Sequence, residues 1–249
     1  MRPIATFTAM LLAASVAFGQ AKPPMKPKSK AEATAINAML QAQDADARIK
    51  AADELITKFA DTPYKSLALY IEADSWSQKG DTDKTIVFAE QAVDADATNY
   101  QAYVLLTKTY AATTHVNDLD KADKLAKIDK YGKLALSNLE AAAKPNEKLS
   151  DAEWKSAKDD FAGQTYLGLG IGAVYSNKID DAKADFEKVA AMDQDPTDLI
   201  RAGRSLLDAK KYADAIPWFE KAAAAPNAND QVKKIAESDK SRAQAMIKK

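Results

Sequence analysis

Apolar residues along this chain recur every three to four positions, the spacing that places them on one face of an α-helix. No segment shows a clear alternation of apolar and polar residues, which is the pattern of a half-buried strand. Eight Gly and nine Pro are few for 249 residues, which favours helices further because both residues interrupt them. One long apolar face is formed by Leu125, Ile128, Tyr131, Ala135 and Leu139. The pattern predicts an all-α fold.

Capping signals predict where two of the helices begin. Ser150, followed three residues later by Glu153, has the spacing of a capping box, in which each residue satisfies a free backbone N–H of the other. We expect a helix to start there and to continue into the segment that follows. Asn229 or Asp230 is expected to cap a final helix over residues 231–248.

The apolar pattern also repeats at long range. In the last third of the chain the matching residues are all 33 positions apart: Tyr166 and Leu199, Leu169 and Ala202, Gly170 and Gly203, Ile179 and Tyr212, Ala182 and Ala215, Phe186 and Phe219. Upstream, a second set has an offset of 34: Leu69 and Tyr103, Ala73 and Thr107, Trp76 and Tyr110. A period of this length is typical of solenoids built from stacked helical hairpins.

These residues and their spacing resemble the tetratricopeptide repeat (TPR). The most similar unit carries Leu199, Ala202, Gly203, Leu206, Ala215, Phe219 and Ala222, and Pro226 closes it. The resemblance implies a right-handed α-solenoid of about five hairpins over residues 31–249. The expected units are about 32–64, 66–98, 100–142 with an insertion, 163–195 and 196–226, with a C-terminal capping helix over 229–248.

Some residues serve or break this pattern for physical reasons. Gly170 and Gly203 are small, so they are expected to let the two helices of a hairpin approach closely. Gly80 and Asn177 stand where a first helix must end, and both tolerate the left-handed backbone of a helix C-terminus. Lys210 holds that place in the last unit and should be strained there.

Two other departures concern the middle of the chain. Glu72 and Thr85 occupy positions that are usually apolar or small in the TPR pattern. Residues 113–120 intervene where the second helix of a unit should begin promptly, so we expect an enlarged hairpin there.

The first residues have the features of a secretion signal. Arg2 supplies a positive charge, and Ile4 to Phe18 form an apolar run followed by small residues that suit cleavage. The run is shorter than the roughly 20 apolar residues of a transmembrane helix, and an uncleaved anchor is the alternative. We expect a signal peptide over 1–21 and a Pro- and Lys-rich linker over 22–30. The chain should then be exported, periplasmic or extracellular, with no membrane span after cleavage.

Composition narrows the chemistry. Basic residues number 35 and acidic residues 36, so the clustered positive charge that binds nucleic acid is not expected. The chain has no Cys, which excludes a lipid-modified Cys, disulfides and Cys-based zinc or catalytic sites. His115 is the only histidine and falls in a polar segment. We therefore expect no catalytic residues, no metal and no cofactor.

One glycine motif formally fits a dinucleotide-binding fingerprint. It is Gly168-x-Gly170-x-x-Ala173, and such a motif must follow a strand so that a helix N-terminus meets the pyrophosphate. Here the preceding segment has a helical pattern, and Gly170 is already explained by the repeat. We expect no nucleotide there.

In TPR proteins the first helices line a concave groove that holds a partner. Carried over position by position, the resemblance implies a partner-binding groove formed by Tyr70, Asp74, Gln78, Val104, Lys108, Gln164, Leu167, Ile171, Val174, Tyr175, Ile200, Arg204 and Asp208. The alternative is that Leu167, Ile171, Val174 and Tyr175 are buried against the enlarged hairpin or against the chain's own N-terminal helix. Only Lys108 and Arg204 could grip a peptide's terminal carboxylate, too few for the clamp that some TPR proteins use.

These expectations favour a non-enzymatic scaffold or adaptor of the cell envelope or periplasm that binds a protein or peptide. The alternative is a self-associating structural envelope protein, a homo-oligomer whose repeats stack between chains. Residues 59–64 resemble a repeat boundary in the outer-membrane β-barrel assembly lipoprotein, but the Cys that carries the lipid is missing. A hydrolase with paired carboxylates is a third, weaker alternative.

Overall fold

A computed structural model describes residues 25–145, 148–192 and 195–248 of the chain. Within these ranges it shows eleven α-helices and no strand, which confirms the predicted all-α fold. The helices are α1 (Lys30–Gln41), α2 (Ala45–Lys58), α3 (Lys65–Gln78), α4 (Thr82–Ala95), α5 (Tyr100–Ala112), α6 (Lys121–Ala141), α7 (Asp151–Tyr175), α8 (Ile179–Met192), α9 (Pro196–Asp208), α10 (Tyr212–Ala224) and α11 (Asp230–Ile247). The predicted signal peptide and the start of the predicted linker lie outside the described residues.

Helices that are neighbours in sequence pack against each other throughout the described chain. Five hairpins result, α1–α2, α3–α4, α5–α6, α7–α8 and α9–α10, and α11 packs on both α10 and α9. First helices of successive hairpins also touch, since α3 contacts α5, α5 contacts α7 and α7 contacts α9. The fold is therefore the predicted row of stacked hairpins with a C-terminal capping helix, and α5, α7 and α9 form one continuous layer.

The repeated small residues lie where the helices of a hairpin are closest. A Cβ at Gly203 would come within 2.6 Å of the Phe219 ring, and one at Gly170 would overlap the Phe186 ring. Both rings are fully buried. Because any side chain at either glycine would push α7 from α8 or α9 from α10, the prediction that these glycines allow close packing is confirmed.

In three hairpins a residue with left-handed backbone stands at the same position of the turn. Gly80 has φ 76°, Asn177 has φ 58° and Lys210 has φ 60°. Each lies two residues after the last residue of the first helix of its hairpin, in the turn that leads to the second helix. The predicted C-terminal positions are confirmed, and Lys210 adopts a conformation that costs an ordinary L-residue roughly 1–2 kcal/mol.

The middle of the chain departs from regular hairpins as predicted. Helix α6 has 21 residues and α7 has 25, against 13 or 14 in α2–α5 and α8–α10. Ser150 and Glu153 form the predicted capping box at the start of α7, which then runs without a break into the repeat. Gly168 lies against Thr107 and Gly172 against Ile128, so α7 packs closely on both α5 and α6.

The described end of the predicted linker contacts the first hairpins. The Tyr64 hydroxyl donates a hydrogen bond to the Met25 carbonyl at 2.8 Å, and Lys28 Nζ pairs with Asp61 at 2.6 Å. Ser29 then caps α1 by accepting a hydrogen bond from the Glu32 backbone N–H. Residues 25–29 thus lie along the turn between α2 and α3.

Candidate binding groove

A cavity of about 560 Å³ lies along the layer formed by α5, α7 and α9, and the turns after α3 and α5 close its sides. We call this cavity the groove. Seven of the thirteen residues predicted for partner binding line it: Lys108, Gln164, Leu167, Ile171, Tyr175, Arg204 and Asp208. They come from three helices that are distant in sequence and that the fold brings side by side.

Three predicted apolar residues are part of the core and do not line the groove. Val104, Val174 and Ile200 are each at most 4% exposed, so they pack behind the groove and present no surface to a partner. Val104 belongs to the buried cluster of the middle hairpins, and Val174 and Ile200 belong to that of the C-terminal hairpins. Of the three, the alternative expectation of burial named only Val174, which lies in the C-terminal buried cluster.

The three predicted residues of α3 lie outside the groove lining. Gln78 Nε2 donates a hydrogen bond to Asp74 Oδ2 at 2.7 Å, one turn away on the same helix. Tyr70 is half-buried, and this burial, with the negative charge of Asp74 as a second cause, raises the pKa of its hydroxyl. The groove therefore reaches α3 only through Ser77 and Gly80 at its C-terminal end.

The floor of the groove is apolar and comes mainly from α7. Leu167 is buried, whereas Ile171 and Tyr175 are half-buried and follow at intervals of four residues on the same helix face. Ile171 packs against the buried clusters of both the middle and the C-terminal hairpins. The buried core thus holds the floor of the groove in place.

Lys108 stands at one end of this floor. Its Nζ donates a hydrogen bond to Gln164 Oε1 at 2.6 Å, and Gln164 Nε2 donates to Asp160 Oδ2 at 2.8 Å. A neutral amide is thus the partner of Lys108, and no described carboxylate lies within ion-pair distance of it. The ammonium keeps its charge available to the groove.

Two arginines of α9 also line the groove but are already paired. Arg201 Nη1 lies 2.7 Å from Asp198, and Arg204 Nε lies 2.6 Å from Asp239 on α11. Asp198 and Asp239 are largely buried, with side chains 7% and 13% exposed. These pairs fix the arginines and cancel much of their charge.

The opposite end of the groove is acidic. Burial raises the pKa of the Tyr175 hydroxyl, and the negative charges of Asp208 and then Asp118 raise it further. Asp118 is held in an ion pair with Lys124 at 2.9 Å. Asp208 is exposed and has no ion pair among the described residues, so it is the unbalanced charge at this end.

Part of the lining was not predicted. Thr113, Thr114 and His115, from the turn before α6, and Arg201 of α9 border the groove. The extra residues after Tyr110 indicated a loop, but nothing in their pattern indicated that the loop folds toward α7 and α9. Arg201 lies three residues before Arg204 on one helix face, and that spacing could have identified it.

The chemistry open to the groove is limited. Asp208 is the one carboxylate in its described lining, so paired carboxylates do not converge there. Among the residues that the structure describes, no group of three or more His, Asp or Glu could hold a metal ion. The glycine motif at Gly168 and Gly170 lies within α7 and packs on Thr107 and Phe186, away from any helix N-terminus. In the described ranges, no helix has both the length and the apolar character needed to cross a membrane.

No protein-family model and no curated protein matches this chain. A comparison with solved structures finds similarity to a thermophilic TPR protein from Thermus thermophilus, with 15% sequence identity and a TM-score of 0.48. The similarity covers 84% of this chain and 98% of that one.

Proposed function

We propose that this chain is a non-enzymatic scaffold whose groove binds a peptide segment of a partner protein. The single observation that carries the proposal is the groove itself, an open cavity of about 560 Å³ with an apolar floor and polar ends. A cavity with an apolar lining and a few polar groups that fix orientation is the usual form of a ligand site.

The occupant is a peptide rather than a small metabolite because the groove is long and open. Its lining extends over three helices, from Lys108 beside Gln164 to Asp208 beside Tyr175. A peptide can place apolar side chains on Ile171 and polar ones at both ends, which gives affinity and specificity together.

The test is an unbiased selection of peptides from a random library on the full chain. We expect enriched sequences that bind the wild type in fluorescence anisotropy and lose at least tenfold in affinity with Ile171→Asp plus Tyr175→Ala, since that change charges and truncates the floor. Tyr175→Ala alone should lose less, which guards against a folding defect in the double variant.

The matched control is Val87→Asp, an apolar-to-acidic change on α4 at a side chain 49% exposed and outside the groove lining. Circular dichroism should show equal helix content in all variants. Selected peptides that bind the double variant as well as the wild type would contradict the groove assignment. A mass that rises with concentration in light scattering, with no peptide enriched, would instead favour the self-associating structural protein.

We also propose that the scaffold acts after export, in the envelope or periplasm. This rests on the apolar run from Ile4 to Phe18, with its preceding Arg2 and following small residues. Expression in a bacterial host, followed by fractionation and N-terminal sequencing, should yield a shortened chain that begins near residue 22. An intact N-terminus in the cytoplasmic fraction would contradict export.

A further inference from the structure

The two unbalanced charges of the groove have opposite signs and lie at opposite ends. Lys108 is bonded to Gln164, near the middle of α7, and Asp208 acts on Tyr175, the last residue of α7. Eleven residues separate these two points on the helix, a rise of roughly 16 Å at about 1.5 Å per residue. The floor between the charges is apolar.

We infer that the groove binds an extended peptide segment with an acidic group at one end, a basic group at the other and apolar residues between them. This inference rests on the proposed function and adds the chemistry of the ligand. The acidic group would face Lys108, and the basic group would face Asp208. Arg201 and Arg204 contribute less to this polarity, because Asp198 and Asp239 already neutralise them.

The dimensions favour an extended segment over a helix. An α-helix rises only about 1.5 Å per residue, so it would need about eleven residues to join the two charges. An extended chain advances about 3.3 Å per residue, so about five residues cover the distance between the two charges. Alternate side chains of such a segment would point at the floor, where Ile171 and Tyr175 lie.

The experiment uses four synthetic pentapeptides on the full chain, because the first and last side chains of an extended pentapeptide point to the same side. Each has acetylated and amidated ends, so that terminal charges play no part, and three apolar residues between its first and last positions. The end pairs are Glu and Lys, Glu and Glu, Lys and Lys, or Gln and Gln. We expect the wild type to bind the Glu–Lys peptide about three- to fivefold more tightly than the others, as partly exposed ion pairs allow.

Charge reversal in the protein should move this preference in a defined direction. Lys108→Glu makes both ends of the groove acidic, so the Lys–Lys peptide should become the tightest ligand. Asp208→Lys makes both ends basic, so the Glu–Glu peptide should become the tightest. Lys133→Glu is the matched control, because this Lys on α6 has a side chain 71% exposed and lies outside the groove lining.

Two results would overturn the inference in different ways. If the rank order of the four peptides is the same in the wild type, Lys108→Glu and Asp208→Lys, these two charges do not select the ligand. Peptide binding by the groove would still stand. If none of the four binds at millimolar concentration, the ligand chemistry is wrong, and the unbiased selection described above then decides the proposed function separately.

Discussion

Glu72 is the residue whose chemistry agrees least with its surroundings. Its side chain is 1% exposed on α3, and one of its carboxyl oxygens has no hydrogen-bond partner among the described residues. Burial, together with the charge of Asp53 on α2 and a hydrogen bond shared with it, raises the pKa of Glu72 to about 8. At neutral pH Glu72 is therefore largely protonated and can donate to Asp53.

The raised pKa gives stability a defined dependence on pH. A carboxyl with a folded pKa of about 8 and an unfolded pKa of 4.5 makes its full contribution to stability below pH 4.5, and this contribution is lost as pH rises through 8. We expect the free energy of unfolding to drop by up to about 4 kcal/mol between pH 5 and pH 8 from this group. Glu72→Leu should remove the dependence and stabilise the chain at pH 8.

Urea unfolding at pH 5, 6, 7 and 8 measures this effect. Leucine is a reasonable replacement because Leu106 and Leu169 occupy the equivalent repeat positions, 34 and 97 residues later. Glu72→Gln is the control, since it keeps the size of the side chain and cannot titrate. An unchanged pH slope in both variants would show that Glu72 is not the responsible group.

At the scale of elements, the capping signals and the small-on-aromatic contacts were predictable, because both depend on a few residues close in sequence. The capping box at Ser150, the left-handed Asn177 and the close approach at Gly203 illustrate this. The lining of the groove was less predictable from the sequence. Helical periodicity indicates which residues share a face, but not which part of that face a neighbouring helix covers, and so Val174 and Ile200 proved to be core residues.

A polar cluster fixes the enlarged hairpin to its neighbour. Glu90 Oε1 on α4 accepts hydrogen bonds from the hydroxyls of Tyr110 and Tyr131 and from Lys127 Nζ, all at 3.0 Å. The Tyr110 and Tyr131 rings stack with centroids 6.1 Å apart. Burial opposes the charge of Glu90, but the hydrogen bonds from Lys127, Tyr110 and Tyr131 outweigh it and hold its pKa below the usual value. One carboxylate thus joins α4, α5 and α6.

Removal of this carboxylate should loosen the enlarged hairpin. Glu90→Ala leaves two tyrosine hydroxyls and an ammonium without their shared partner, and we expect a loss of about 1–3 kcal/mol in unfolding free energy. Thermal unfolding gives the total effect, and hydrogen exchange should show faster exchange of α6 than of α9. Glu54→Ala, which removes only an exposed pair with Lys58, is the control and should leave both unchanged. Equal behaviour of the two variants would contradict a special role for Glu90.

At the scale of the whole molecule, three buried clusters follow one another along the row of hairpins. The N-terminal cluster contains only five buried residues, whereas the C-terminal one is the largest and includes both Phe186 and Phe219. In a row of stacked units each hairpin is stabilised mainly by its immediate neighbours, so the ends are the weakest places unless a cap covers them. Helix α11 provides that cover at the C-terminal end, through Val232, Ala236 and Ala243.

Loss of α11 should therefore affect the groove as well as the end of the row. A chain that stops at residue 228 exposes the apolar face of α9 and α10 that α11 covers, and it leaves Arg204 without Asp239. We expect a loss of several kcal/mol in unfolding free energy, in keeping with an apolar interface of this kind. Because the freed Arg204 adds positive charge beside Asp208, the fraction that stays folded should bind the Glu–Glu peptide relatively more tightly.

The variant Asp239→Asn in the full chain separates the effect on stability from the effect on peptide preference. It frees Arg204 but keeps the cover that α11 provides, so it should change peptide preference with little change in stability. If the truncated chain unfolds at the same urea concentration as the full chain, α11 is not the cap of this solenoid.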